Sequence, residues 1–208
     1  MLGKLAAFAS VTALVVACAP DKSMPTSALV IRTPLYASNA GGQGDFNLGT
    51  HMTGDEEVCP PTSCTGLTPA ASKAQGEAIF RVSDDGSSVD FRLIASNIDN
   101  VVQSHIHCGR PGANGGIRMW LYPVIGPTGT ALTGPTGPQN GVLASGRFDP
   151  RGVTCAVADV GSAMPLLDAM RAGLAYVNVH TNDGVAPTNT GPGDFPGGEI
   201  RGQLDHGR

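Results

Sequence analysis

From Asp45 onward, apolar and polar residues alternate in short runs separated by turn-forming residues. Ala78, Phe80 and Val82 fall on one face of an extended segment over 76–83, and Val89, Phe91 and Leu93 do the same on the next run. Asp84-Asp85-Gly86 between them reads as a hairpin turn. A hairpin with one apolar face needs a second layer to cover it. Further strands are predicted over 46–53, 101–107, 117–124, 141–148, 176–181 and 199–204. One helix is predicted over 162–172, with Ser162 as its cap, Pro165 in the first turn and Gly173 as its stop. Its apolar stripe is Leu166, Leu167 and Met170. The expected fold is all-β: an antiparallel, Greek-key-like β-sandwich of about seven or eight strands with one short helix near 162–172.

The N-terminus departs from this pattern. A single basic residue, Lys4, precedes an apolar run from Leu5 to Ala17. That run is too short to cross a bilayer as a mature helix and reads as a secretory signal over 1–17. It ends Val15-Val16-Ala17-Cys18, which resembles the lipobox of bacterial lipoproteins; the resemblance implies cleavage before Cys18 and a lipid on its thiol. Residues 18–44 are rich in Pro, Ser, Gly and Ala and read as a flexible tether. The expected organisation is therefore a signal peptide over 1–17, a lipid-anchored tether over 18–44 and one β domain over 45–205. The expected location is extracytoplasmic, on a bacterial membrane at the periplasmic or cell-surface face, with the membrane as a partner through Cys18.

Composition agrees. The chain has 29 Gly, 16 Pro and only 14% charged residues, and no strict Gly-X-Y period. Its formal net charge is −4, which disfavours nucleic acid as a partner. Of the five Cys, lipidation of Cys18 leaves Cys59, Cys64, Cys108 and Cys155. An even number in an oxidising compartment points to two disulfides. The turn-like Cys59-Pro-Pro-Thr-Ser-Cys64 segment favours Cys59–Cys64 with Cys108–Cys155 among the possible pairings. A four-cysteine zinc site is the alternative, disfavoured because paired C-x2-4-C halves are missing.

Four runs carry a resemblance to the CHRD (chordin) domain family. They are FNLGTHMTGDEEVCPP over 46–61, HIHCG over 105–109 with Gly112 and Asn114-Gly115, AYVNVHT over 175–181 and GEIRGQL over 198–204. The order matches the family, with Cys59 inserted into the first motif and long loops over 126–141 and 182–196. The resemblance implies a secreted or extracellular domain; it implies fold and compartment more than activity.

Two of these motifs also carry metal chemistry. His105 and His107 are two apart on a strand and share a face, with Ile106 on the other. In YVNVHT, Val177 and Val179 share the apolar face while Asn178 and His180 share the polar one. Glu199 and Arg201 fall on the polar side of the closing strand. If these strands are neighbours, His105, His107 and His180 converge on the outer face of the sandwich. Neutral imidazoles suit copper or zinc, with Asn178, Glu199 and Arg201 behind them. The competing reading is a hydrogen-bonded structural network across the sheet. No hydrolase elbow, zincin, P-loop or EF-hand pattern appears. The sequence therefore favours a non-enzymatic, surface-anchored module binding an unknown protein or small ligand, with a three-histidine copper or zinc protein as the alternative.

Overall fold

The computed structural model describes residues 47–59, 66–123 and 137–206. The expected signal over 1–17, the expected tether over 18–44 with Cys18, Cys64 and most of the 126–141 loop lie outside these residues. The strands are β1 (Asn47–Thr53), β2 (Gln75–Val82), β3 (Val89–Asp99), β4 (Val101–Cys108), β5 (Ile117–Tyr122), β6 (Pro138–Phe148), β7 (Thr154–Cys155), β8 (Met164–Pro165), β9 (Ala175–Thr181), β10 (Ile200–Gln203) and β11 (Asp205–His206). Two short helices, α1 (Val157–Val160) and α2 (Leu166–Arg171), follow β7 and β8 respectively.

The β2–β3 hairpin follows from its alternation. Phe80 pairs with Phe91, and Ala78 with Leu93, all on the buried face. The turn is held by Asp85, whose Oδ1 accepts hydrogen bonds from the Ser83 hydroxyl and the Ser87 amide. Gly86 takes φ 68° there, a left-handed conformation that glycine adopts without strain.

All ladders are antiparallel. The expected all-β architecture is found, and each predicted strand has a counterpart. The two layers, however, belong to one continuous sheet in the order β5-β4-β9-β10-β1-β2-β3-β6, with β11 added to β1. Its end strands β5 and β6 approach each other, so the sheet nearly closes into a barrel. Irregularities in register on β3 and β4 interrupt the ladders and help the sheet bend back on itself. Phe80, Leu93, Ile106, Leu121, Val177 and Ile200 meet in the enclosed core.

The helix is shorter than expected. Met164–Pro165 instead pairs with Thr154–Cys155, and Pro165, not Ser162, stands at the N-cap of α2. A residue before proline is pushed out of the helical region, which keeps Met164 extended. The expected stop at Gly173 holds: its amide reaches the Met170 carbonyl, and the Leu174 amide reaches that of Ala169, a Schellman closure. The Cys108–Cys155 disulfide ties the end of β4 to β7. Cys59 is also disulfide-bonded, while its expected partner Cys64 is outside the described residues.

Candidate metal centre

Antiparallel pairing of β4 with β9 sets the site. His105 stands opposite Asn178, His107 opposite Tyr176 and Gln103 opposite His180. Strand parity sends Ile106, Val177 and Val179 into the core, so the three histidines project from the other side of the sheet. The ring centroids of His105 lie 5.4 Å from those of His107 and 5.1 Å from those of His180, and the His107–His180 separation is 6.3 Å. One ligand atom from each lies within 4.8 Å of the others. Tetrahedral zinc, with zinc–nitrogen bonds of about 2.0–2.1 Å, needs its nitrogens roughly 3.4 Å apart. Side-chain shifts of roughly 1 Å close that gap.

This face is not open to solvent, as a site on the outside of a sandwich would be. His105 is wholly buried, and His107, His180, Asn178, Glu199 and Arg201 are buried too. Loops over 109–116 and 182–199, together with the short 3-10 turn Gly54–Glu56, pack on the polar side of β4, β9 and β10. Burial holds the imidazoles neutral: it pulls His105 down to about 3 with help from His180 and His107, pulls His180 down to about 4, and lowers His107. Neutral imidazole is the ligating form.

The hydrogen bonds direct the lone pairs. His107 Nδ1 lies 3.0 Å from the Gly115 carbonyl, and His180 Nδ1 lies 2.8 Å from the Pro196 carbonyl. A carbonyl only accepts, so each Nδ1 carries the proton and each Nε2 presents a lone pair. His107 Nε2 has no hydrogen-bond partner, and neither ring nitrogen of His105 has one. The His105 ring sits edge-on to Trp120, 4.2 Å between centroids, which helps fix its plane.

Glu199 and Arg201, expected behind the ligands, make no hydrogen bond to an imidazole and do not pair with each other. Each holds a loop instead. The Arg201 guanidinium donates to the Ala113 carbonyl at 2.8 Å and to Asn114 Oδ1 at 3.0 Å, fixing the loop whose Gly115 carbonyl binds His107. It also lies 3.4 Å over the Tyr176 ring, on which His107 stacks at 4.8 Å. Glu199 accepts from the Thr181 hydroxyl at 2.6 Å, the Gly193 amide at 2.9 Å and the Ser72 hydroxyl at 2.5 Å. Thr181 Oγ1 in turn accepts from the Phe195 amide, next to the Pro196 carbonyl that binds His180. The two charged residues act on the imidazoles through backbone.

Asn178 is in direct reach, with Oδ1 3.0 Å from His180 Nε2. Beyond it lies Glu57, which strand patterning did not single out although it sits in the Glu-Glu-Val segment of the first motif. Burial pushes the Glu57 carboxyl up to about 7, against the pull of Arg201, the Val58 amide and the Asn178 amide. Glu57 Oε2 and Asn178 Nδ2 fill the space where a side chain on residue 198 would stand; Gly198, at φ 129°, leaves it open. Tyr176 and Trp120 fall within the predicted strands 176–181 and 117–124, but their ring contacts depend on cross-strand register. Among the described residues, the three histidines are the single cluster of three or more His, Cys, Asp or Glu residues placed to hold a metal.

A family model described as the CHRD domain matches residues 48–204, most of the chain. No curated protein and no solved structure matches it.

Proposed function

The chain belongs to the CHRD domain family, which supports a non-enzymatic module; from the apolar run ending Val15-Val16-Ala17-Cys18 and the three converging histidines we propose that it is an extracytoplasmic lipoprotein, tethered through Cys18, whose domain binds a metal. Copper or zinc is held by His105, His107 and His180. One observation carries the metal reading: three buried imidazoles converge, two already turned by backbone carbonyls so that Nε2 faces inward. Nitrogens buried without partners cost stability unless something occupies them, and a cation supplies that partner. A purely structural network would satisfy these atoms with protein donors and acceptors, and His105 has neither. The buried setting favours retention or delivery of a metal over turnover of a bulky substrate.

The test is metal analysis of protein exported by its own signal and purified without a His-tag, then exposed to copper or zinc and desalted. One metal per chain is expected, falling to none in His107→Ala. A metal-free wild-type protein after exposure to both ions ends the reading. For the anchor, acyl chains bury about 0.8 kcal/mol per CH2 group, so two or more hold a protein firmly to a membrane. Cys18→Ser should move the protein from the membrane fraction to the soluble one or leave the signal uncut; unchanged mass and fractionation would refute lipidation.

A further inference from the structure

We propose that Asn178 is a fourth protein ligand, and that its side-chain oxygen completes a three-nitrogen, one-oxygen copper(II) centre with His105, His107 and His180. The inference rests on the three-histidine reading and adds the coordination number, the donor set and the metal.

It starts from a conflict at His180. A ligating imidazole is neutral and carries one N–H. Nδ1 gives that proton to the Pro196 carbonyl at 2.8 Å, so Nε2 is a lone pair. Only 3.0 Å away stands Asn178 Oδ1, another lone-pair donor. Two buried acceptors facing each other repel, and a cation bound to both removes the repulsion.

The amide is turned towards this arrangement by its neighbours. Its Nδ2 end lies beside Glu57 Oε2 in the pocket left by Gly198. No hydrogen bond joins Glu57 Oε2 to the amide, but a carboxyl oxygen attracts an amide N–H where it would repel an amide oxygen, so the nitrogen belongs on that side and the oxygen on the histidine side. Asn178 faces His105 directly across the β4–β9 ladder. One amide is thus in contact with His180 and in register with His105.

The spacing selects the metal. Two donors 3.0 Å apart, each roughly 2.0–2.2 Å from one ion, subtend roughly a right angle at it. Right angles between mixed nitrogen and oxygen donors belong to tetragonal copper(II), whereas zinc in a closed site prefers the wider tetrahedral angle. With Asn178 bound, four protein donors surround the ion and the loops over 109–116 and 182–199 cover it. No equatorial position is then left for water, in keeping with a holding site.

Pulsed electron paramagnetic resonance on the copper(II)-loaded domain, in H2O and in D2O, tests this. Three imidazole nitrogens and no equatorial exchangeable water are expected for the wild type. Asn178→Ala should acquire one equatorial water, shift the visible d–d band and weaken copper binding roughly tenfold or more. Asn178→Asp, which keeps an oxygen, should stay free of equatorial water. An equatorial water in the wild-type spectrum overturns the fourth ligand while leaving the three histidines in place, and this measurement stands even if Asn178→Ala does not fold. A folded Asn178→Ala with wild-type spectrum and affinity overturns it equally. A wild-type domain that binds no copper overturns the three-histidine reading itself.

Discussion

The β2–β3 hairpin and the β4–β9–β10 ribbon are parts of the same sheet, built on the same backbone geometry, with opposite use of their outer faces. Along β2, buried and exposed positions alternate almost without exception. Along β9 every residue is buried. The hairpin spends its polar residues on solvent; its Asp90–Arg147 ion pair to β6 is exposed. The ribbon's polar residues are covered by loops, so His, Asn, Glu and Arg must find partners inside the protein. The difference teaches that polar alternation marks the side of a sheet away from the core and says nothing about whether water reaches it. Where loops cover that side, the residues become a site.

Acidification should separate the two regions most. The three histidines are held neutral in the folded protein, with His105 at about 3, His180 at about 4 and His107 lowered, against 6.5 when unconstrained. The unfolded chain therefore binds more protons as pH falls from 6.5 towards 4, and stability is lost over that window, by about 1.4 kcal/mol per pH unit for each fully differential proton. Glu57 works in the opposite sense. Its folded value of about 7 against 4.5 makes its contribution largest at low pH and diminishes it as pH rises through that interval. Denaturant titrations of metal-free protein between pH 7 and pH 5 should show falling stability, with a steeper fall in Glu57→Gln. Amide exchange should rise in β9 and β10 before β2 and β3. A flat profile would mean that the ribbon is no more acid-sensitive than the hairpin.

Within the core the two regions should behave alike, because both contribute their apolar faces to it. Phe80→Ala removes a wholly buried ring and should cost about 3–5 kcal/mol by urea unfolding. The folded fraction should keep its metal stoichiometry. Loss of metal binding from folded Phe80→Ala would show that the site depends on hairpin packing as well as on its loops.

Polar substitutions should divide the regions again. Glu199→Ala strips the acceptor from Thr181, Gly193 and Ser72, and a buried group left unpaired costs about 1–3 kcal/mol. Its melting temperature should fall, and metal affinity with it as the Pro196 carbonyl is released. The smallest effect is expected from Asp90→Asn, which breaks the solvent-exposed pair with Arg147 and should leave the melting temperature unchanged within error. Equal shifts from the two variants would erase the contrast.

Much of this was legible in the chain because it depends on local periodicity. Period-two alternation located the strands, the Asp84-Asp85-Gly86 turn joined two of them, and parity placed His105, His107 and His180 on the side opposite Ile106, Val177 and Val179. Met164–Pro165 escaped local reading, since helix-compatible residues there were captured by a two-residue ladder with Thr154–Cys155. The same limit separates the polar strand faces from the centre they form. Sequence alone determined an all-β domain and the parity of its histidines, because side-chain direction repeats along a strand. Only tertiary structure decided that one sheet would curl nearly closed, that loops would bury its outer face, and that Arg201 and Glu199 would act through the Gly115 and Pro196 carbonyls. Those outcomes depend on contacts between residues far apart in the chain, which no local pattern encodes.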